Sequence, residues 1–245
     1  MYRFFENVDF LDYISLNREN SHHFNKVLRI KNGEEVEIVA NNGVFLASFH
    51  EIKDEIVILK KIERLDTSNE SSIELVVAQG ILKGDKMDEL IKNLVEVGIS
   101  KFIPLTTKRV ISNIKGKEEK KLNRWKKILE SGAKQSKRDI IPTINFPIEL
   151  NDLDKFKDYT IIVPYEDEKL KYIDEVLNIG NKILLVIGPE GGFEKSEIEY
   201  LKSIDANIVT LGRRILRAET AALCSSFYII HKFERRDWWK NLFQF

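Results

Sequence analysis

A single cysteine, Cys224, occurs in 245 residues. An intrachain disulfide is therefore excluded, and a reducing, cytoplasmic location is expected. The four histidines, His22, His23, His50 and His231, have no cysteine partners at zinc-site spacings, so no metal is expected. No stretch reaches the roughly 18 consecutive apolar residues that a membrane-spanning helix needs. The opening segment MYRFFENVDF carries charges where an export signal has an apolar run, so neither a membrane nor a secretory address is expected. An excess of one charge is missing as well: 39 Lys and Arg oppose 39 Asp and Glu, a formal net charge of zero. A globally basic nucleic-acid binder is thereby excluded, and any RNA phosphate must be met by local clusters.

With 43% hydrophobic residues the chain can build cores without staples. Residues 1–68 read as a small β-rich domain. Residues 36–39, 44–49 and 56–59 are strand-like, and Asn41-Asn42-Gly43 supplies the turn chemistry of a hairpin. Residues 21–29 have helical spacing in Phe24, Val27 and Leu28. Residues 66–72, DTSNESS, hold no apolar side chain and read as a linker. From residue 73 to 245 the pattern alternates strands with helices, which predicts an α/β domain with a mostly parallel sheet. Expected strands are 73–81, 101–105, 159–164, 183–187 and 207–211. Expected helices are 86–97, 118–137, 196–203 and 218–233.

Two strand ends carry glycine loops. Lys182-Ile183-Leu184-Leu185-Val186-Ile187 runs into Gly188-Pro189-Glu190-Gly191-Gly192-Phe193, and a helix follows, with Ser196 and Glu199 at capping-box spacing. Ligands of open α/β sheets sit at such carboxyl ends, and glycine lets them approach backbone amides. The loop matches neither GxGxxG nor a P-loop, so it does not favour a phosphate-bearing ligand, while an adenosine compound without phosphates remains compatible. The second strand end is Leu211-Gly212, followed by Arg213-Arg214-Ile215-Leu216-Arg217 and a helix whose first turn holds Glu219. Taken as the ends of adjacent strands, the two loops line one pocket. The alternative for each loop alone is a tight turn without a ligand.

The pair IGPEGGF and LGRRILRAETAA resembles the motif pair of the RsmE-type 16S rRNA uridine N3-methyltransferases of the SPOUT superfamily. Lys86-Met87-Asp88-Glu89-Leu90, Arg124-Trp125, Gln135-Ser136-Lys137-Arg138 and the N-terminal His23-Phe24 with Val27-Leu28-Arg29 agree in order, so the resemblance covers nearly the whole chain. It implies a PUA-like β-barrel domain followed by a SPOUT domain with a trefoil knot at its C-terminal end. It also implies a homodimer and S-adenosylmethionine held by Gly188, Glu190, Gly191, Gly192, Leu211, Gly212, Ile215, Leu216 and Arg217. The substrate implied is a uridine in the decoding region of 16S rRNA in the small ribosomal subunit.

Residues 115–138 hold ten basic and three acidic residues, and Leu122, Trp125, Ile128 and Leu129 form the buried stripe, so the charges point elsewhere. A one-signed excess in a neutral chain favours RNA contact over a merely solvated face. Arg124 belongs to this run, and Gln135 and Arg138 are candidates for holding the target nucleotide. Arg3, Arg29 and Lys31, with His23, make a second candidate RNA surface. For catalysis, Glu219 is the candidate proton acceptor and Arg217 the candidate stabiliser of the uracil anion. Trp238 and Trp239 are expected to dock the terminal helix, and Cys224 and His231 to pack inside it. Two other readings stand beside this one: a ribose 2′-O-methyltransferase of the same superfamily, and a non-catalytic RNA-binding factor in ribosome assembly.

Overall fold

The computed structural model describes residues 1–31, 33–66, 68–110, 114, 116–177 and 180–242, with side chains as far as residue 235. Lys115 of the basic run, Thr67 of the linker and the side chains of Trp238 and Trp239 lie outside the described residues. The chain divides into two compact units, Met1–Asn69 with Lys134–Asp139, and Glu70–Ala133 with Ile140–Phe245.

The first unit is a five-stranded sheet of β1 (Tyr2–Phe5), β2 (Tyr13–Ser15), β3 (Glu35–Ala40), β4 (Gly43–Lys53) and β5 (Ile56–Leu65), in the order β1-β3-β4-β5-β2. Only the β1–β3 pairing is parallel. Asn41 and Asn42 form the two-residue loop of the β3–β4 hairpin, between the paired residues Ala40 and Gly43. Phe4 of one edge strand and Ile14 of the other belong to the same buried cluster, with Phe24, Ile38 and Leu59, so the sheet curls around a single core. Helix α1 (Arg18–His22) is capped by Asn17, whose side chain accepts from the Asn20 amide. It runs on as one π-helical turn, His23–Val27, closed by Leu28 N donating to His23 O at 2.9 Å.

Two of the expected RNA-contacting arginines lie inside this unit. Arg3 is 5% exposed, and its guanidinium donates to Glu37 at 2.9 Å, to Asp139 at 3.0 Å and to the carbonyls of Lys137 and Arg138. Arg138 is itself buried at 4% exposure. A charge spent on internal partners and shielded from solvent does not reach a phosphate, so the segment 135–138 acts here as a tie to β1 and β3. Of the remaining candidates, Arg29, Lys31 and Gln135 are exposed. His23 is half-buried, with its ring edge-on to Phe4.

The second unit is built on β6 (Glu74–Gly80), β7 (Lys101–Thr106), β8 (Thr143–Ile144), β9 (Ile148–Glu149), β10 (Thr160–Pro164), β11 (Lys182–Ile187) and β12 (Asn207–Val209). The order is β12-β10-β11-β6-β7-β8, with β9 also on β7, and every pairing is parallel. A parallel sheet is covered on both faces, which is why β6 and β11 read as continuous apolar runs. Val76, Ala78, Leu184 and Val186 face a cluster with Ile198 and Leu201 of α4 (Lys195–Ser203). The helices α2 (Lys86–Val97) and α5 (Ala218–Leu242) pack on one another, and α5 packs on β6 and β11.

Helix α4 begins one residue earlier than expected, because Glu194 and Glu197, not Ser196 and Glu199, form the capping box. In α3 (Glu118–Gln135), Trp125 Nε1 donates to the buried Asp88 of α2 at 2.9 Å. Arg124 pairs with the same Asp88 and with Asp85. That arginine therefore joins α3 to α2, which leaves it less free for RNA than its place in the basic run predicts. Cys224 and His231 are exposed on α5 instead of packed within it.

Candidate active site

Because all strands of the second unit run parallel, their carboxyl ends open on one edge of the sheet. Four of the segments leaving that edge line a cleft of about 380 Å³: Lys86 beyond β6, Pro164 to Glu166 at the end of β10, the 187–193 loop after β11, and the 210–217 loop after β12. The two glycine loops therefore do meet in one cleft. Their strands are not neighbours, however, because β10 lies between β11 and β12. The end of β10 consequently supplies the part of the wall between the loops, a contribution that sequence reading missed.

The first loop is fixed by residues outside it. Gly192 N donates to Pro189 O at 2.9 Å, closing a turn in which Gly192 has φ +67°, the left-handed region that favours glycine. Gln79, fully buried at the end of β6, donates through Nε2 to Gly188 O and to Gly80 O, both at 2.9 Å. The next residue, Gly80, lies against the loop so closely that a Cβ there would stand 2.4 Å from Pro189 N and 2.9 Å from the Gly188 carbonyl carbon. One sequence signal pointed to this clip: a glutamine ending an otherwise apolar central strand. Arg109 Nη1 donates to Gly191 O at 3.0 Å, and a Cβ on Gly191 would meet Arg109 at 3.1 Å. Gly191 thus faces protein, whereas a Cβ on Gly212 would meet nothing within 4 Å.

Charge at the cleft centres on Lys86, at the first position of α2. Its Nζ is 3.1 Å from Glu219 Oε1 and 4.0 Å from Glu190 Oε1, and Glu190 also accepts from the Lys83 amide at 3.0 Å. Burial pushes the Glu219 carboxyl up. Its own backbone N–H, the Lys86 ammonium and the Arg217 charge outweigh that and hold it below the usual carboxylate value of 4.5. Such a group contributes stability that is present above its unfolded value and lost as pH falls through its lower folded value. Replacing Lys86 by Met removes the charged partner, so the Glu219 titration is expected to move upward. Carbon-detected NMR of the carboxyl reads this directly, and a titration that stays put would assign the depression to the backbone N–H and Arg217. Among the described residues Glu219 Oε2 is buried without a partner from another residue, an acceptor open to a donor brought by a ligand.

The structure brings Gly188, Glu190, Gly191, Gly192, Leu211, Gly212, Ile215, Leu216, Arg217 and Glu219 to this one cleft. A second cavity of about 300 Å³ shares Thr210, Leu211 and Leu216 with it and is bounded by Tyr172, Cys224 and Tyr228. Tyr228 donates to Asp174, which also pairs with Lys232 at 2.8 Å. That hydrogen bond, together with burial, pushes the tyrosine up to about 12. Among the described residues no group of His, Cys, Asp and Glu is placed to hold a metal ion.

The family model of the RNA methyltransferase domain matches residues 69–229, and that of the RNA methyltransferase PUA domain matches residues 16–62. The chain is 36% identical over 225 residues to ribosomal RNA small subunit methyltransferase E of Mesomycoplasma hyopneumoniae, covering 91% of this chain and 96% of that protein. The chain belongs to this methyltransferase family. The Bacillus subtilis member is 30% identical, over 85% of this chain and 86% of its own length. The crystal structure of the Neisseria gonorrhoeae member bound to S-adenosyl methionine matches with a TM-score of 0.87 at 26% identity, covering 95% of this chain and 98% of that one. Family membership agrees with the α/β methyltransferase domain and PUA domain expected from the motifs. No helix among the described residues is long and apolar enough to cross a membrane.

Proposed function

We propose that the chain methylates N3 of a uridine in the decoding region of 16S rRNA, using S-adenosylmethionine bound in the cleft between the two glycine loops. The observation that carries this reading is the meeting of both loops around one cleft of about 380 Å³. The donor set fits the cofactor. Backbone-rich glycine loops suit an adenosine, and no phosphate fingerprint is present. Gly188, Glu190, Gly191, Gly192, Leu211, Gly212, Leu216 and Arg217 would hold it. When bound, it supplies an electrophilic methyl group on a sulfonium sulfur.

The chain's own residues then have three tasks: to position uracil N3 in line with that methyl, to exclude water, and to manage the N3 proton. Glu219 is anionic at neutral pH and accepts that proton through the free oxygen. A carboxylate held below its usual value is a weak base. Arg217, exposed at the cleft mouth, must therefore do much of the work by stabilising negative charge on the uracil oxygens. The site is completed at the interface of a homodimer in the cytoplasm, and the exposed face of α5 with Phe227 and His231 is available for that contact.

Small subunits from a strain lacking the enzyme, incubated with the protein and cofactor, should gain one methyl group. Mass spectrometry of the digested RNA should place it on the base of a uridine. A methyl on ribose would favour the 2′-O reading, and no incorporation together with no cofactor binding would favour a non-catalytic factor. Within this scheme Glu219→Gln is expected to slow methyl transfer by about 100-fold while changing cofactor affinity much less. Turnover equal to wild type would remove Glu219 from the proton path.

A further inference from the structure

The 210–217 loop does not present its side chains alike. Leu216 is half-buried and borders both cavities, so it faces inward. Ile215, its neighbour, is 82% exposed, yet it stands at the mouth of the cleft. A branched aliphatic side chain that far in solvent contributes little to a cofactor wall. It is flanked by Arg213, Arg214 and Arg217, all exposed, and neither Arg213 nor Arg214 has an ion pair or side-chain hydrogen bond among the described residues. The tip of the loop is thus one apolar wedge set among three guanidinium groups.

That combination matches a folded RNA strand. Free guanidinium groups meet phosphates, and an apolar side chain inserted between bases holds open a step from which one base has been turned out. A base must leave its stack before chemistry at its Watson–Crick edge can occur, and N3 lies on that edge. We infer that Ile215 is the wedge that keeps the target base unstacked, with Arg213 and Arg214 holding the flanking phosphates. This assignment rests on the methyltransferase reading above and moves Ile215 from the cofactor's contacts to the RNA's. The positive charge around the tip favours RNA over a second copy of the chain as its occupant.

The test compares wild type with Ile215→Ala and Ile215→Leu on small subunits lacking the methyl group. Alongside, calorimetry measures S-adenosylmethionine affinity and sedimentation measures self-association. Ile215→Ala should lower methyl transfer by about tenfold or more, with cofactor affinity and self-association unchanged, and Ile215→Leu should restore most of the rate. On an RNA fragment with 2-aminopurine beside the mapped uridine, wild type should raise the fluorescence and Ile215→Ala should not. A wild-type rate in Ile215→Ala overturns the wedge. So does a loss that follows cofactor affinity, which returns Ile215 to the cofactor, or one that follows self-association, which assigns it to a subunit contact. A wild-type protein that methylates no uridine defeats the functional reading itself, an outcome separate from these.

Discussion

Gly80→Ala is expected to reduce methyl transfer by about 100-fold or more, the scale on which a displacement of about 1 Å at a reacting centre acts. The alanine Cβ would lie 2.4 Å from Pro189 N and 2.7 Å from Pro189 Cδ. All three of its nearest atoms are backbone or proline ring, so no flexible side chain can swing aside. Relief requires the whole 188–192 turn to move off the strand end, which also strains the Gln79 hydrogen bonds to Gly188 O and Gly80 O. Overpacking of this kind costs about 1–3 kcal/mol of stability, so a folded protein with a displaced loop is the expected product. Calorimetry should then report weakened S-adenosylmethionine binding, and thermal unfolding a lowered midpoint. A Gly80→Ala protein with wild-type turnover would mean that the close approach of β6 to the loop has no functional weight.

Arg3→Met is expected to destabilise the first unit by about 3–5 kcal/mol, because removing one member of a buried charge cluster leaves the others without compensation. Arg3 is flanked by Glu37, 9% exposed at its side chain, and by Asp139 at 15%. Lys137 still reaches Glu37 at 3.1 Å, which places the loss toward the lower end of that range. Urea unfolding measures the size of the effect, and hydrogen exchange in residues 134–139 shows its location. Adding Glu37→Gln to Arg3→Met should recover part of the loss, since the uncompensated carboxylate is its main source. Stability within about 1 kcal/mol of wild type would reduce Arg3 to a replaceable surface contact.

Local pattern was enough to read the alternation of strands and helices in the second unit. The strands β6 and β11 are seven and six residues long with apolar centres, and α2 has the expected bounds, Lys86–Val97. The glycine loops were legible for the same reason, as turns between a buried strand and a helix. What local pattern does not carry is pairing across distance. The separation of β11 from β12 by β10 is a property of sheet order. The weight on Gln79 and Gly80 depends on a loop 109 residues away. Arg3 and Arg138 carry the charge of RNA-contacting residues, and only the return of residues 137–139 to β1 reveals that they are internal. Strands β1 and β2 went unread because four and three residues are too few to show a period.

The first unit is discontinuous in the chain, and this has a consequence for synthesis. Arg3 is translated third and its partner Glu37 soon after, but the two carbonyls and the Asp139 carboxylate that also accept from it are translated after residue 136. A nascent chain that has emerged only as far as Asn69 holds all five strands of that sheet and still lacks three of the four acceptors of Arg3. Completion of the first unit is therefore timed by the emergence of the residues that follow α3. A truncation at the obvious boundary near residue 69 would yield a fragment whose interior arginine keeps Glu37 alone of its partners.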